Sequence, residues 1–160
     1  MANKISLHQL TDSFYNEHAY LQEIMDKNKD GTFKDKGRGY GILLVDVKGF
    51  KFAIPLRSNM NHKENYAVKI YTDKNGKKLR KGLDYSKAII ITEERFISSD
   101  VFFIPNHEFM KIVKAENHII KSFEKYVNKY VKAVLAQDHN VLRQYNFSTL
   151  KNYHNELGCE

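Results

Sequence analysis

The chain has 160 residues, 42% of them hydrophobic and 28% charged, which suits a single domain, residues 1–160, with one core. Its longest aliphatic run, Ala88 to Ile91, is far short of a membrane span, and the opening MANKISLHQL lacks the apolar stretch of a signal peptide. The lone cysteine, Cys159, excludes an internal disulfide and a cysteine-based zinc cage, so a reducing, cytoplasmic home with no membrane partner is expected.

The net charge of +7 is unevenly placed. Residues 29–87 carry 15 basic and 6 acidic side chains, a net +9, whereas residues 1–28 and 88–106 are each net −2. A basic block of this kind is the footprint of a polyanion partner, although charge alone equally describes a well-solvated surface.

In chain order, residues 4–10 alternate loosely and suggest a short first strand. Residues 12–28 place Phe14, His18, Leu21 and Ile24/Met25 at helical spacing after the capping cluster Thr11-Asp12-Ser13. Asp30-Gly31 reads as a turn. Tyr40–Val47 and Phe50–Ile54 form a predicted hairpin across Lys48-Gly49, and Pro55 should end the pairing or lie at an edge. Tyr66–Thr72 and Ser86–Thr92 are two further predicted strands, separated by a polar turn and the basic run Lys77, Lys78, Arg80, Lys81. One long amphipathic helix is predicted from Asn106 to about residue 136, with Glu116 interrupting its apolar stripe and marking a bend or polar contact. A last helix should run from about Ser148 to Leu157, with Gly158 after its end. The expected fold class is α+β: a compact, strongly curved antiparallel sheet with flanking helices, including a long one in the C-terminal half.

The chemistry-bearing motifs are few. There is no Walker loop, no Gly-x-Gly-x-x-Gly fingerprint and no His-Glu-x-x-His, and the seven histidines form no zinc-spaced cluster, so neither cofactor nor metal is expected. Two polar segments stand out. Lys34, Lys36, Arg38 and Tyr40 surround glycines that would let a phosphate approach the backbone, with Arg38 able to clamp it and Tyr40 able to stack on a base. Directly after a predicted strand come Arg57, Ser58, His62 and Lys63: a hydroxyl, a titratable imidazole and two cations. Metal-free RNA cleavage needs a base for the 2′-hydroxyl, donors for the charged phosphorane and an acid for the leaving oxygen, and these residue types supply all three. Taken singly, His62 also reads as an exposed loop histidine and Ser58 as a turn hydroxyl.

At these segments the sequence resembles the ToxN/AbiQ family, with its CptN and TenpN branches: the endoribonuclease toxins of type III toxin–antitoxin systems. Arg38-Gly39-Tyr40-Gly41-Ile42-Leu43-Leu44 is similar to the family's basic lead-in to a Gly-Ile-x-Leu strand. Gly49-Phe50-Lys51-Phe52-Ala53-Ile54-Pro55-Leu56-Arg57-Ser58 is similar to Gly-x-x-Tyr-x-x-Pro-Leu-x-Ser, with His62-Lys63 following as in one branch. Gly82-Leu83 with Lys87 and Ile89 to Ile91, and Asn146-Phe147-Ser148-Thr149-Leu150 running to Gly158, are similar to later patches. These matches span nearly the whole chain in order.

The resemblance implies a fold related to the MazF/Kid-like barrel. It implies metal-independent cleavage of RNA, usually at adenine-rich sites, leaving a 2′,3′-cyclic phosphate and a 5′-hydroxyl. It implies inhibition by a small repeat-encoded RNA pseudoknot in a closed head-to-tail protein–RNA assembly, and a role in phage abortive infection against cellular or phage RNA. Carried over residue by residue, Ser58 matches the family serine. The family's cation falls at Lys36 or Arg38, of which Arg38 is chosen, and its early tyrosine at Tyr15, with Tyr20 in another register. Arginine clamps a phosphorane but is a poor base, so the proton-transfer role passes to His62 with Lys63 beside it. Met60 departs from the family's lysine two positions after the serine. Lys34, Lys36, Tyr40, Arg57, Lys77, Lys78, Arg80 and Lys81 are the candidate RNA contacts. Two other readings compete: a non-catalytic RNA-binding protein using the same basic groove, and a protein-interaction module with incidental charge.

Overall fold

The structure is a computed structural model and describes residues 5–24 and 41–159. A five-stranded antiparallel sheet curls into a half-barrel against helices from both ends of the chain. Strand β1 (Ile42–Val47) turns tightly through Lys48 and Gly49, both at positive φ, into β2 (Phe50–Met60). Two left-handed residues give the turn whose twist matches the flanking strands. Then follow β3 (Asn65–Thr72), β4 (Lys78–Asp84) and β5 (Ile89–Ile91). The order is β1-β2-β4-β3, and β5 pairs with the N-terminal half of β2.

Three differences from the sequence expectations have physical causes. Strand β2 does not stop at Pro55, which pairs with Ile42 inside the sheet. The Leu56 N–H points at the Gly41 carbonyl, 2.8 Å away, so by alternation the N–H that proline lacks would point to the other side. On that side β2 pairs with neither strand, since pairing with β4 stops at Leu83 and pairing with β5 at Ile89, and the 3₁₀ turn Tyr85–Lys87 lies between them. Second, β4 is a full strand where only a basic run between two strands was expected, because pairing with both β2 and β3 outweighs the low strand preference of lysine. Third, the predicted strand over 86–92 shortens to β5, because the Asp84 carboxylate takes the Ser86 N–H and caps a 3₁₀ turn over Tyr85–Lys87.

The curl comes from two β-bulges on opposite sides of one β4 position. Ser58 and Asn59 together oppose Lys81, and Val68 is inserted between the partners of Gly82 and Lys81. Extra residues on both flanking strands bend and twist the sheet there. Gly82 is a requirement of this bend, since a Cβ at that position would stand 1.9 Å from the Tyr66 carbonyl oxygen.

Helix α1 (Asp12–Glu17) is much shorter than the expected 12–28, of which residues 25–28 lie outside the described residues. The His18 ring folds back onto Phe14, whose carbonyl takes both the His18 backbone N–H at 3.0 Å and Nδ1 at 2.8 Å, and the helix ends at this doubly bonded turn. The first strand reduces to bridges at His8 and Leu10. The long helix divides at Ala115, one residue before the Glu116 interruption, into α2 (Asn106–Lys114) and α3 (Glu116–Ala136). Along α3 the residues Ile119, Phe123, Tyr126, Val127 and Tyr130 are buried, and Phe123 packs edge-on against Phe52 of β2 at 5.1 Å. After α4 (His139–Leu142), the expected last helix is only a 3₁₀ turn over Thr149–Asn152, capped by Ser148, with Gly158 at positive φ as expected. Among the described residues, no helix is long and apolar enough to cross a membrane.

Candidate functional site

A cleft of about 530 Å³ opens between the root of the β3–β4 hairpin and the chain that follows α4. One wall carries Arg57, His62 and Lys87, and the other carries Tyr126, Gln144 and Phe147. Its organising group is Asp84, the last residue of β4, which is fully buried. Arg57 pairs with Gly82, two residues from Asp84, so strand alternation puts both side chains on one face. Arg57 Nη1 donates to Asp84 Oδ2 at 3.0 Å. Asp84 Oδ1 accepts from the Ser86 backbone N–H at 3.0 Å and its hydroxyl at 2.6 Å.

His62 faces the same carboxylate. Its Nε2 lies 3.2 Å from Asp84 Oδ1, off the line of a hydrogen bond, while Nδ1 accepts the Glu64 backbone N–H at 3.1 Å. An accepting Nδ1 assigns the ring proton to Nε2, the nitrogen turned toward Asp84. Nδ1 is therefore committed and Nε2 is buried against Asp84 without a hydrogen bond, so a proton-transfer role requires the ring to move.

Burial alone would raise the Asp84 pKa. The contacts from His62, Ser86 and Arg57 outweigh it and hold the carboxyl below the ordinary aspartate range. A depressed folded-state pKa stabilises the fold at every pH above the unfolded aspartate value near ~4, and the stabilisation is lost as pH falls through the folded value. Wild type should therefore lose stability relative to Asp84→Asn as pH falls below about 4 and on through the depressed folded value. Urea unfolding across that range measures it, and parallel pH curves for the two proteins would refute the assignment.

Lys87 completes the polar wall. Its ammonium donates to the Phe147 carbonyl at 2.8 Å and lies 3.6 Å from Glu23. Burial lowers its pKa below the usual lysine value, with Glu23 and Asp84 opposing. Opposite, the Tyr126 hydroxyl donates to Ser148 Oγ at 2.8 Å, and burial pushes that phenol well above its normal range.

The candidate residues are distributed as follows. Arg57 and His62 line the cleft. Ser58 stands exposed on the adjoining bulge and Lys63 is exposed on the next turn, and neither lines the cleft. Tyr15 is buried in the core with its ring edge-on to Phe14, away from the lining. Lys34, Lys36, Arg38 and Tyr40 lie outside the described residues. Lys77, Lys78, Arg80 and Lys81 all fall on the β3–β4 hairpin, where Lys81 sits 2.8 Å from the buried Glu108 carboxylate. The hairpin thus forms a basic ribbon about 20 Å long with the cleft at its root.

No protein-family model matches this chain, and neither a curated protein nor a solved structure does. The site rests on its own geometry.

Asp84, Ser86, Lys87, Gln144 and Phe147 were absent from the candidates read from the sequence. A signal existed for one of them: Asp84 is the only acid between Asp73 and Glu93 in a strongly basic stretch. Among the described residues, no group of three or more His, Cys, Asp or Glu side chains could hold a metal ion.

Proposed function

We propose that the protein is an endoribonuclease toxin of the type III toxin–antitoxin class, acting in the cytoplasm on single-stranded RNA without a metal. The observation that carries the proposal is a guanidinium fixed by a fully buried carboxylate, one residue from an exposed serine, at the root of a basic ribbon. With Nη1 committed to Asp84, Arg57 keeps further N–H donors for phosphate oxygens. In the proposed reaction the RNA 2′-oxygen attacks the adjacent phosphorus and the bond to the 5′-oxygen breaks. The His62 ring, once it moves, accepts the 2′-hydroxyl proton, water supplies the proton that reaches the departing oxygen, and the products are a 2′,3′-cyclic phosphate and a 5′-hydroxyl. The exposed part of the Arg57 guanidinium offsets the charge that builds on the phosphorane, and the Ser58 hydroxyl, outside the cleft on the adjoining bulge, orients the phosphate.

Arg38, three positions before Gly41 in the sequence, belongs to the same proposal as the second cation. The curled sheet with a helix laid across it supports a relationship to the MazF/Kid-like barrel. The basic ribbon supports a repeat-encoded RNA pseudoknot as inhibitor and a head-to-tail protein–RNA assembly.

One observation favours the second reading, a non-catalytic RNA-binding protein: His62 offers no nitrogen to the cleft, since Nδ1 takes the Glu64 N–H and Nε2 is buried against Asp84. Incubating the purified protein with RNA in EDTA separates the two. Cleavage by wild type, ends bearing cyclic phosphate, and a loss of about 10- to 50-fold in Ser58→Ala are the expected results. Intact RNA that is nonetheless retained would leave the binding reading alone.

A further inference from the structure

We infer that the cleft holds one unstacked base of a single-stranded RNA, with the Phe147 ring as its stacking face. The inference rests on the RNA reading above and gives this cleft a task separate from phosphate contact.

The volume, about 530 Å³, lies within the range of small-ligand sites. The lining is nearly balanced in charge: Arg57 and Lys87 stand against Glu64, with Asp84 beneath. A phosphate chain would seek unbalanced cations, which the β3–β4 ribbon offers. A neutral, flat, hydrogen-bonding group suits the cleft better.

Phe147 is 73% exposed at the cleft, so core packing does not account for its ring. Its backbone, in contrast, is fixed. The carbonyl takes the Lys87 ammonium, and the next residue, Ser148, is buried and bonded to the Tyr126 hydroxyl. A rigidly mounted, solvent-facing aromatic is the form a stacking platform takes, because binding then costs little ordering. Two amides stand at the same opening, Asn61 and Gln144. The Gln144 oxygen accepts from Lys129 at 3.0 Å, which leaves its NH₂ to donate to a base edge. Phe103 is more exposed still, at 83%, but does not line the cleft, and it serves as the internal control.

The test uses a single-stranded 2′-O-methyl RNA octamer, which lacks the attacking hydroxyl, carrying 2-aminopurine. Fluorescence titration is run with wild type, Phe147→Ala, Phe147→Trp and Phe103→Ala, each checked for an unchanged melting temperature. Phe147→Ala should bind about ten- to hundredfold more weakly, with the same slope of affinity against salt, because no cation is lost. Phe147→Trp should restore both affinity and the fluorescence change, and Phe103→Ala should match wild type. Tight wild-type binding that Phe147→Ala leaves unaltered, or that Phe103→Ala weakens equally, overturns the base site alone. A wild type that binds no RNA at physiological salt overturns the site and the RNA reading together.

Discussion

Arg57→Ala is expected to slow RNA cleavage by about 100- to 1,000-fold, the cost of removing a preorganised donor from a developing oxyanion. Arg57→Lys should recover only part of this, because an ammonium keeps the charge but not the fork that contacts carboxylate and phosphate together. Protein stability should change far less than activity. The Arg57 side chain is 42% exposed, so its ion pair with Asp84 is partly solvated and contributes modestly. Single-turnover rates beside melting curves distinguish the two effects. An Arg57→Ala variant that cuts RNA at the wild-type rate would remove this residue from the chemistry and shift the weight to Arg38.

Gly82→Ala should be the most damaging single substitution to the fold. The added methyl would meet the Tyr66 carbonyl oxygen at 1.9 Å and the Ala67 Cα at 2.9 Å, both backbone atoms that no side-chain rotation moves aside. Relief requires β3 to separate from β4, at a cost of about 3 kcal/mol, or roughly 6–12 °C in melting temperature for a domain of this size. Calorimetry measures it directly. By contrast, Gly49→Ala meets no atom within 4 Å and pays only for its left-handed backbone, so it should lie well below Gly82→Ala. If the two melt alike, steric contact across the bulge is not what fixes the bend.

The sequence made local patterns legible and left long-range ones hidden. The β1–β2 hairpin was readable because its turn residues and alternation sit within a dozen positions. The α3 stripe was readable because burial repeats along one helix face, and Glu116 marked the neighbourhood of its break. Strand β4 was not, since Lys78, Arg80 and Lys81 give it a solvated pattern and its strand state depends on partners far along the chain. At the site, Arg57 and His62 could be picked by residue type beside a strand end. Asp84 could not, because its importance lies in being buried beneath residues 57, 62 and 86, of which 57 and 86 donate to it. Phe147 was visible only as part of a similar patch, and nothing in its local sequence says that its ring faces a cleft.

The Lys87–Phe147 tie joins a sheet made early in translation to a segment made late. Until residues 144–148 have left the ribosome the far wall does not exist, and the cleft has only one side. If RNA is the target, the base site cannot close on the message being read until that late segment docks.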